Sequence, residues 1–194
     1  MTGALRPWAD RSTRLLCPAV VRVGVSGHRL LPNKREAELV ATVDAVLAEL
    51  GDPGTVVSSV AEGADRLVAW RALRRPGWEL LVVLPMAPDD YAADFGTAVS
   101  RDEFMRLLDA ASEIDQVPDQ PDRATAYLAA GLRVLERSDV LIALWDGEPA
   151  RGRGGTADIV ARARAGGRPV AWIHVGTEGP AGTKVTKERW PWPV

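Results

Sequence analysis

Short, unbroken apolar runs alternate along the chain with longer stretches in which apolar residues return every three to four positions. The runs at 20–25, 55–60, 79–84, 139–145 and 169–174, rich in Val, Leu and Ile, read as strands buried on both faces. Between the first two, Leu39, Val40, Val43, Val46, Leu47 and Leu50 share one face of a helix, and Asn33 with Glu36 predicts a capping box at its start. Residues 64–73, a stretch carrying Phe104, Leu107 and Leu108, a stripe of Ala124, Tyr127, Leu128, Gly131 and Leu135, and residues 156–165 predict further helices. Gly51-Asp52-Pro53-Gly54 and Pro76-Gly77 break the chain between elements. Residues 113–117 read as an edge strand. The polar stretch 86–100, with a short acidic helix around Asp89, Asp90 and Tyr91, reads as a lid or flap.

Alternating strands and helices, with strands apolar throughout, predict an α/β fold. The expected form is a Rossmann-like, doubly wound, mainly parallel sheet with helices on both faces. An N-terminal arm (1–19) precedes the domain (20–175). A polar tail (176–194) follows, whose Trp190 and Trp192 are expected to dock on the domain or on a partner subunit. With the first strand at the centre, the second and third go to one side and 139–145 to the other. The loops after the first strand and after 139–145 then flank the crevice where ligands bind in such sheets.

Composition narrows the function classes. At 194 residues, 46% hydrophobic and 26% charged, the chain suits one globular domain. A net charge of -2 and a pI near 5.8 argue against nucleic acid as a partner, whose phosphates call for clustered cations. One cysteine, Cys17, forms no intramolecular disulfide, and no apolar run approaches the roughly 20 residues of a membrane helix. Residues 1–14 lack the apolar core of a signal peptide, so a cytoplasmic location is expected. One Cys and two His supply no zinc-type cluster, and neither a metal nor an obligatory cofactor is expected.

Both crevice loops carry glycines and polar groups. In Arg151-Gly152-Arg153-Gly154-Gly155-Thr156, glycines at a helix start let main-chain amides approach an anion, with Arg151 or Arg153 adding charge and Thr156 capping the helix or donating to a phosphate oxygen. A plain flexible loop has the same composition. Ser26-Gly27-His28-Arg29 lacks the third glycine of a dinucleotide motif and the Gly-Lys-Ser/Thr of a P-loop, and His28 breaks a G-x-S-x-G pattern. His28 is read as a structural hydrogen-bonding residue or a ligand contact. In Ser58-Ser59-Val60-Ala61-Glu62-Gly63-Ala64-Asp65, Glu62 and Asp65 suit hydroxyl or ribose recognition and equally suit helix capping. Pro85 and Asp146, at strand ends, complete the candidate ligand-binding set of Ser26, Gly27, His28, Arg29, Ser59, Glu62, Gly63, Asp65, Arg153, Gly154, Gly155 and Thr156. Arg101, just past the expected lid, can reach a phosphate or remain a surface arginine.

Taken together, Val23-Gly24-Val25-Ser26-Gly27-His28-Arg29, Ser58 through Leu67, and Leu144-Trp145-Asp146-Gly147 through Gly154-Gly155-Thr156 resemble the SLOG superfamily, which unites the Lonely Guy (LOG) proteins with the DNA-processing Smf/DprA proteins and related nucleotide sensors. The resemblance spans 20–174 and implies a Rossmann-like fold that binds nucleotides or nucleotide-derived ligands, often as a homodimer. The Lonely Guy enzymes are phosphoribohydrolases with the signature P-G-G-x-G-T-x-x-E. Gly154, Gly155 and Thr156 resemble its G-G-T part. No residue separates Gly155 from Thr156, Ile159 holds the glutamate's spacing, and Asp158 comes one position early, about 100° round the helix.

The expected function is therefore binding of a nucleotide or nucleotide-derived phosphate ligand at the glycine-rich loops, as a sensor or carrier. The alternative is a LOG-like hydrolase releasing base from a nucleoside 5′-monophosphate. In that scheme Glu62 or Asp158 would stabilise the ribosyl cation or activate water, and Arg101 or Arg153 would hold the phosphate. An interaction protein with a vestigial pocket is the third reading.

Overall fold

A computed structural model describes residues 20–149, 154–176 and 183–190. Their apolar runs become β1 (Val21–Gly27), β2 (Gly54–Ser58), β3 (Glu79–Leu84), β5 (Val140–Trp145) and β6 (Val170–His174), joined at the sheet edges by β4 (Glu113–Gln116) and β7 (Val185–Glu188). The strand order is β4-β3-β2-β1-β5-β6-β7. Every pairing is parallel except β6 with β7. The sheet is therefore Rossmann-like and doubly wound, with β1 at the centre.

The helices are α1 (Glu36–Leu50), α2 (Ala64–Leu73), α3 (Pro88–Ala92), α4 (Ala98–Asp109), α5 (Arg123–Glu136) and α6 (Thr156–Ala165). Strand alternation divides the core between two faces. Val23, Val56, Leu80, Val82 and Ile142 pack with Leu39, Val43 and Leu47 of α1, Val68 of α2 and Phe104 of α4. The intervening strand residues face the other way. Val57, Leu81 and Val83 meet Ala130 and Val134 of α5, while Leu141 and Ala143 meet Ile159 and Val160 of α6. Strands covered on both faces can carry no polar alternation, hence the unbroken apolar runs.

Three local expectations are corrected. Asn33 opens a 3-10 turn (Asn33–Arg35) instead of capping, and α1 starts at Glu36 with no side-chain cap. The stretch 86–100 is no free flap. Tyr91 and Phe95 are fully buried and meet Phe104 edge-on or tilted, with ring centroids 5.1–5.5 Å apart, which fastens it to the core. The polar tail gains a strand that was not foreseen, β7, while its Trp190 packs against the main core as expected. The arm 1–19 with Cys17, and residues 191–194 with Trp192, lie outside the described residues.

Candidate functional site

Because β1 leads to α1 on one face and its neighbour β5 leads towards α6 on the other, the two loops diverge at the carboxyl end of the sheet and leave a crevice. A cavity of about 520 Å³ occupies it. Ser26, Gly27, His28 and Arg29 form one wall, and Trp145, Asp146, Gly154, Gly155 and Thr156 form the facing one. The β1 loop is pinned from both sides: the His28 amide donates to the Leu144 carbonyl (3.0 Å), and the Ala64 amide donates to the His28 carbonyl (3.0 Å). Only glycine fits at 27, where a Cβ would lie 2.3 Å from that of Ala64. His28 Nε2 lies 3.2 Å from the Asp146 amide nitrogen and 3.1 Å from Asp146 Oδ1, so it accepts from the one or donates to the other according to its tautomer. His28 thus ties the two crevice loops together.

The floor comes from the β2–α2 loop and the end of β3, through Ser59, Ala61, Asp65 and Pro85. Val60 turns this loop with φ +48°, a conformation β-branched residues avoid. It is held there because its amide donates to Ser58 Oγ (3.0 Å) and its carbonyl accepts from Arg66 Nε (3.1 Å). Arg66, buried, also donates to the Ser100 carbonyl and hydroxyl and to Glu103. Burial pushes the Asp65 carboxyl up to about 6, against the opposing pull of the Ser58 hydroxyl, the Ala61 amide, the Arg29 charge and the Ser59 amide. Asp65 thus organises its own loop while facing the cavity.

The sequence reading missed the aromatic wall. Tyr91 and Tyr127 line the cavity beside Trp145, and the Arg29 guanidinium lies 5.3 Å from the Tyr127 ring centroid. Tyr127 donates its hydroxyl to Asp94. Burial works against the Arg29 charge, but Tyr91, Tyr127 and Asp94 outweigh it and hold its pKa above the ordinary arginine value. The available signal was the i, i+4 pair of Tyr91 and Phe95 in an otherwise polar segment.

At the start of α6 one expectation is corrected. The Gly154 amide is not open to an anion, because it donates to Asp158 Oδ2 (2.9 Å). Asp158 is thereby committed to ordering the entry to its helix. Thr156 and Ala157 still line the cavity at the start of α6, where the positive end of the helix dipole lies, whereas the Asp158 amide donates to the Gly155 carbonyl (3.0 Å). Glu62 and Gly63 sit elsewhere, on a second depression of about 980 Å³ between α1, α2 and α4, where Glu62 accepts from the Ser100 hydroxyl. Arg101 lines neither cavity and donates to the Phe95 carbonyl (2.8 Å). Arg153 lies outside the described residues. The structure therefore gathers Ser26, Gly27, His28, Arg29, Ser59, Asp65, Pro85, Asp146, Gly154, Gly155 and Thr156, but brings none of Glu62, Asp158 and Arg101 to the cavity wall. Among the described residues no group of three His, Cys, Asp or Glu could hold a metal, and no helix is long and apolar enough to cross a membrane.

No protein-family model and no curated protein matches the chain. Among solved structures it is similar to the DNA processing protein A (DprA) of Streptococcus pneumoniae, with 17% identity and a TM-score of 0.58 over 84% of this chain and 52% of that one. It is also similar to DprA of Helicobacter pylori, described for its single-stranded DNA binding mode, with 19% identity and a TM-score of 0.54 over 84% of this chain and 68% of that one. The chain thus spans about half the length of the pneumococcal protein. The expected Rossmann-like fold is borne out, and these two DprA structures share it. It also corrects one expectation: net charge and pI do not set nucleic acid aside as a partner, since a protein of this fold is described as binding single-stranded DNA. Net charge sums over the whole surface, whereas a strand meets only the cations along its path.

Proposed function

We propose that the chain is a binding module whose β1/β5 cavity seats a nucleotide, free or as one unit of a single strand. One observation carries this reading: a cavity of ligand size at the switch point of the sheet, which combines an aromatic wall, the Arg29 cation and the start of α6. The aromatic rings suit a base, and the cation and the helix start suit a phosphate. The strand form of the reading draws on the DNA-binding neighbour and on Arg29, which lines both this cavity and the second depression and so leaves a longer ligand a way onward.

Thermal shift and calorimetry with a panel of nucleoside monophosphates and a short oligodeoxythymidine test the proposal. A true ligand at about 100 times its Kd adds about 2.7 kcal/mol of stability, and an Arg29→Ala variant should lose most of that gain. No shift with any of them would refute the reading. The hydrolase alternative predicts free base after incubation with the monophosphates. Because Glu62 and Asp158 are engaged away from the cavity, chromatography should find none.

A further inference from the structure

Arg29 is the cation that the cavity offers a ligand, yet its own position is lightly secured. The residue is exposed, and among the described residues no carboxylate forms an ion pair with it. A loose arginine side chain spreads over many rotamers, and gathering them onto one ligand costs affinity. The guanidinium lies against the Tyr127 ring, 5.3 Å from its centroid, and that face is what keeps it beside the cavity. The ring itself turns about two single bonds from the second turn of α5 and is only half-buried, so its direction needs an anchor.

Asp94 supplies it. Its Oδ2 accepts the Tyr127 hydroxyl, and its Oδ1 accepts from Arg123 Nη2 (2.5 Å), so both oxygens are engaged. Its backbone is fixed as well. Asp94 lies between Tyr91 and Phe95, which are buried against Phe104, and its amide donates to the Tyr91 carbonyl (3.1 Å). Asp94 lines neither cavity and so touches no ligand seated there. Resting on the nucleotide reading above, we propose that Asp94 is a positioning residue, which fixes the Tyr127 ring and through it Arg29. A nucleotide then meets the cation already in place, and the ordering cost is met on folding instead of on binding. The stretch 86–100 thereby serves as the mount of the aromatic wall.

The test is calorimetry on the full chain with the nucleoside monophosphate or oligodeoxythymidine that the wild type binds best, at a temperature where circular dichroism shows each variant folded. Asp94→Ala should weaken binding about fivefold, and so should Tyr127→Phe, which keeps the ring and removes only its anchor. The two changes together should bind no more weakly than either alone, since they break one contact. Asp94→Asn keeps an oxygen for the phenol while giving up the ion pair with the exposed Arg123, so it should bind within about twofold of wild type. A role confined to that ion pair would leave Asp94→Asn as weak as Asp94→Ala. Unchanged affinity in Tyr127→Phe, additive losses, or no rescue by Asp94→Asn overturns the proposal while leaving the nucleotide reading standing. Absence of binding by every probe to the wild type overturns both.

Discussion

Gly63→Ala adds a single methyl group at the point where the loops after β1 and β2 touch, and its cost can be worked out from the backbone. Gly63 has φ +77° and ψ -116°, a region closed to side-chain-bearing residues, which costs roughly 1–3 kcal/mol. The new Cβ would also lie 2.4 Å from the carbonyl oxygens of both His28 and Arg29. These are main-chain atoms fixed by the Ala64–His28 hydrogen bond, so no side chain can swing aside, and overpacking adds roughly another 1–3 kcal/mol. Gly51→Ala separates the two contributions. Gly51 has φ +83° but nothing within 4 Å of a built Cβ, so it carries the conformational cost alone. At about 2–4 °C per kcal/mol for a chain of this size, Gly63→Ala should melt roughly 2–12 °C below Gly51→Ala by circular dichroism. Because the displacement falls on His28 and Arg29, it should also weaken ligand binding in the cavity, which Gly51→Ala leaves intact. A Gly63→Ala protein melting level with Gly51→Ala would show that the two loops are not clamped as described.

Three further outcomes follow from the same structure. The folded Asp65 pKa of about 6 lies above its ordinary value of 3.8, so the native state holds that proton longer than the unfolded chain; the Asp65 contribution to stability should fall by about 2 kcal/mol as pH rises from 4.5 to 7.5, read as the change in the difference between wild type and Asp65→Asn in urea unfolding, and a constant difference would contradict it. Asp158→Ala removes the acceptor of the Gly154 amide and a carboxylate near the start of α6, which should cost about 1 kcal/mol in urea unfolding; an unchanged midpoint would mean that the contact does not order the helix entry. Arg66→Ala strips partners from the Val60 carbonyl, Ser100 and Glu103 at once and should cost about 3–5 kcal/mol, with a loss below about 1 kcal/mol ruling out a buried tether.

The sheet was legible because its signals are local. Unbroken Val, Leu and Ile runs mark strands covered on both faces, and helical stripes between them leave little choice of crossover, so both the central place of β1 and the crevice beside β5 follow from the chain. The glycine loops were legible for the same reason. β7 was not: Val185-Thr186-Lys187-Glu188 is polar, and its strand form comes from main-chain pairing with β6 and from the Arg164–Glu188 and Lys187–Glu49 ion pairs. The supposed lid failed because the polarity of 86–100 outvoted two aromatic residues whose partner Phe104 lies on the next helix.

What the sequence determined by itself, then, was the layered architecture, the order of the central strands and the loops that meet at their ends, since apolar periodicity and glycine placement act over a few neighbouring residues. Which side chains those loops present was decided only in three dimensions. Whether Asp158 faces a ligand or an amide, whether Glu62 reaches the cavity or Ser100, and whether Tyr91 lies in solvent or in the cavity wall depend on distances set by packing between segments far apart in the chain. A charged or hydroxylated side chain takes whichever partner burial brings within hydrogen-bond reach, and no local pattern encodes that choice.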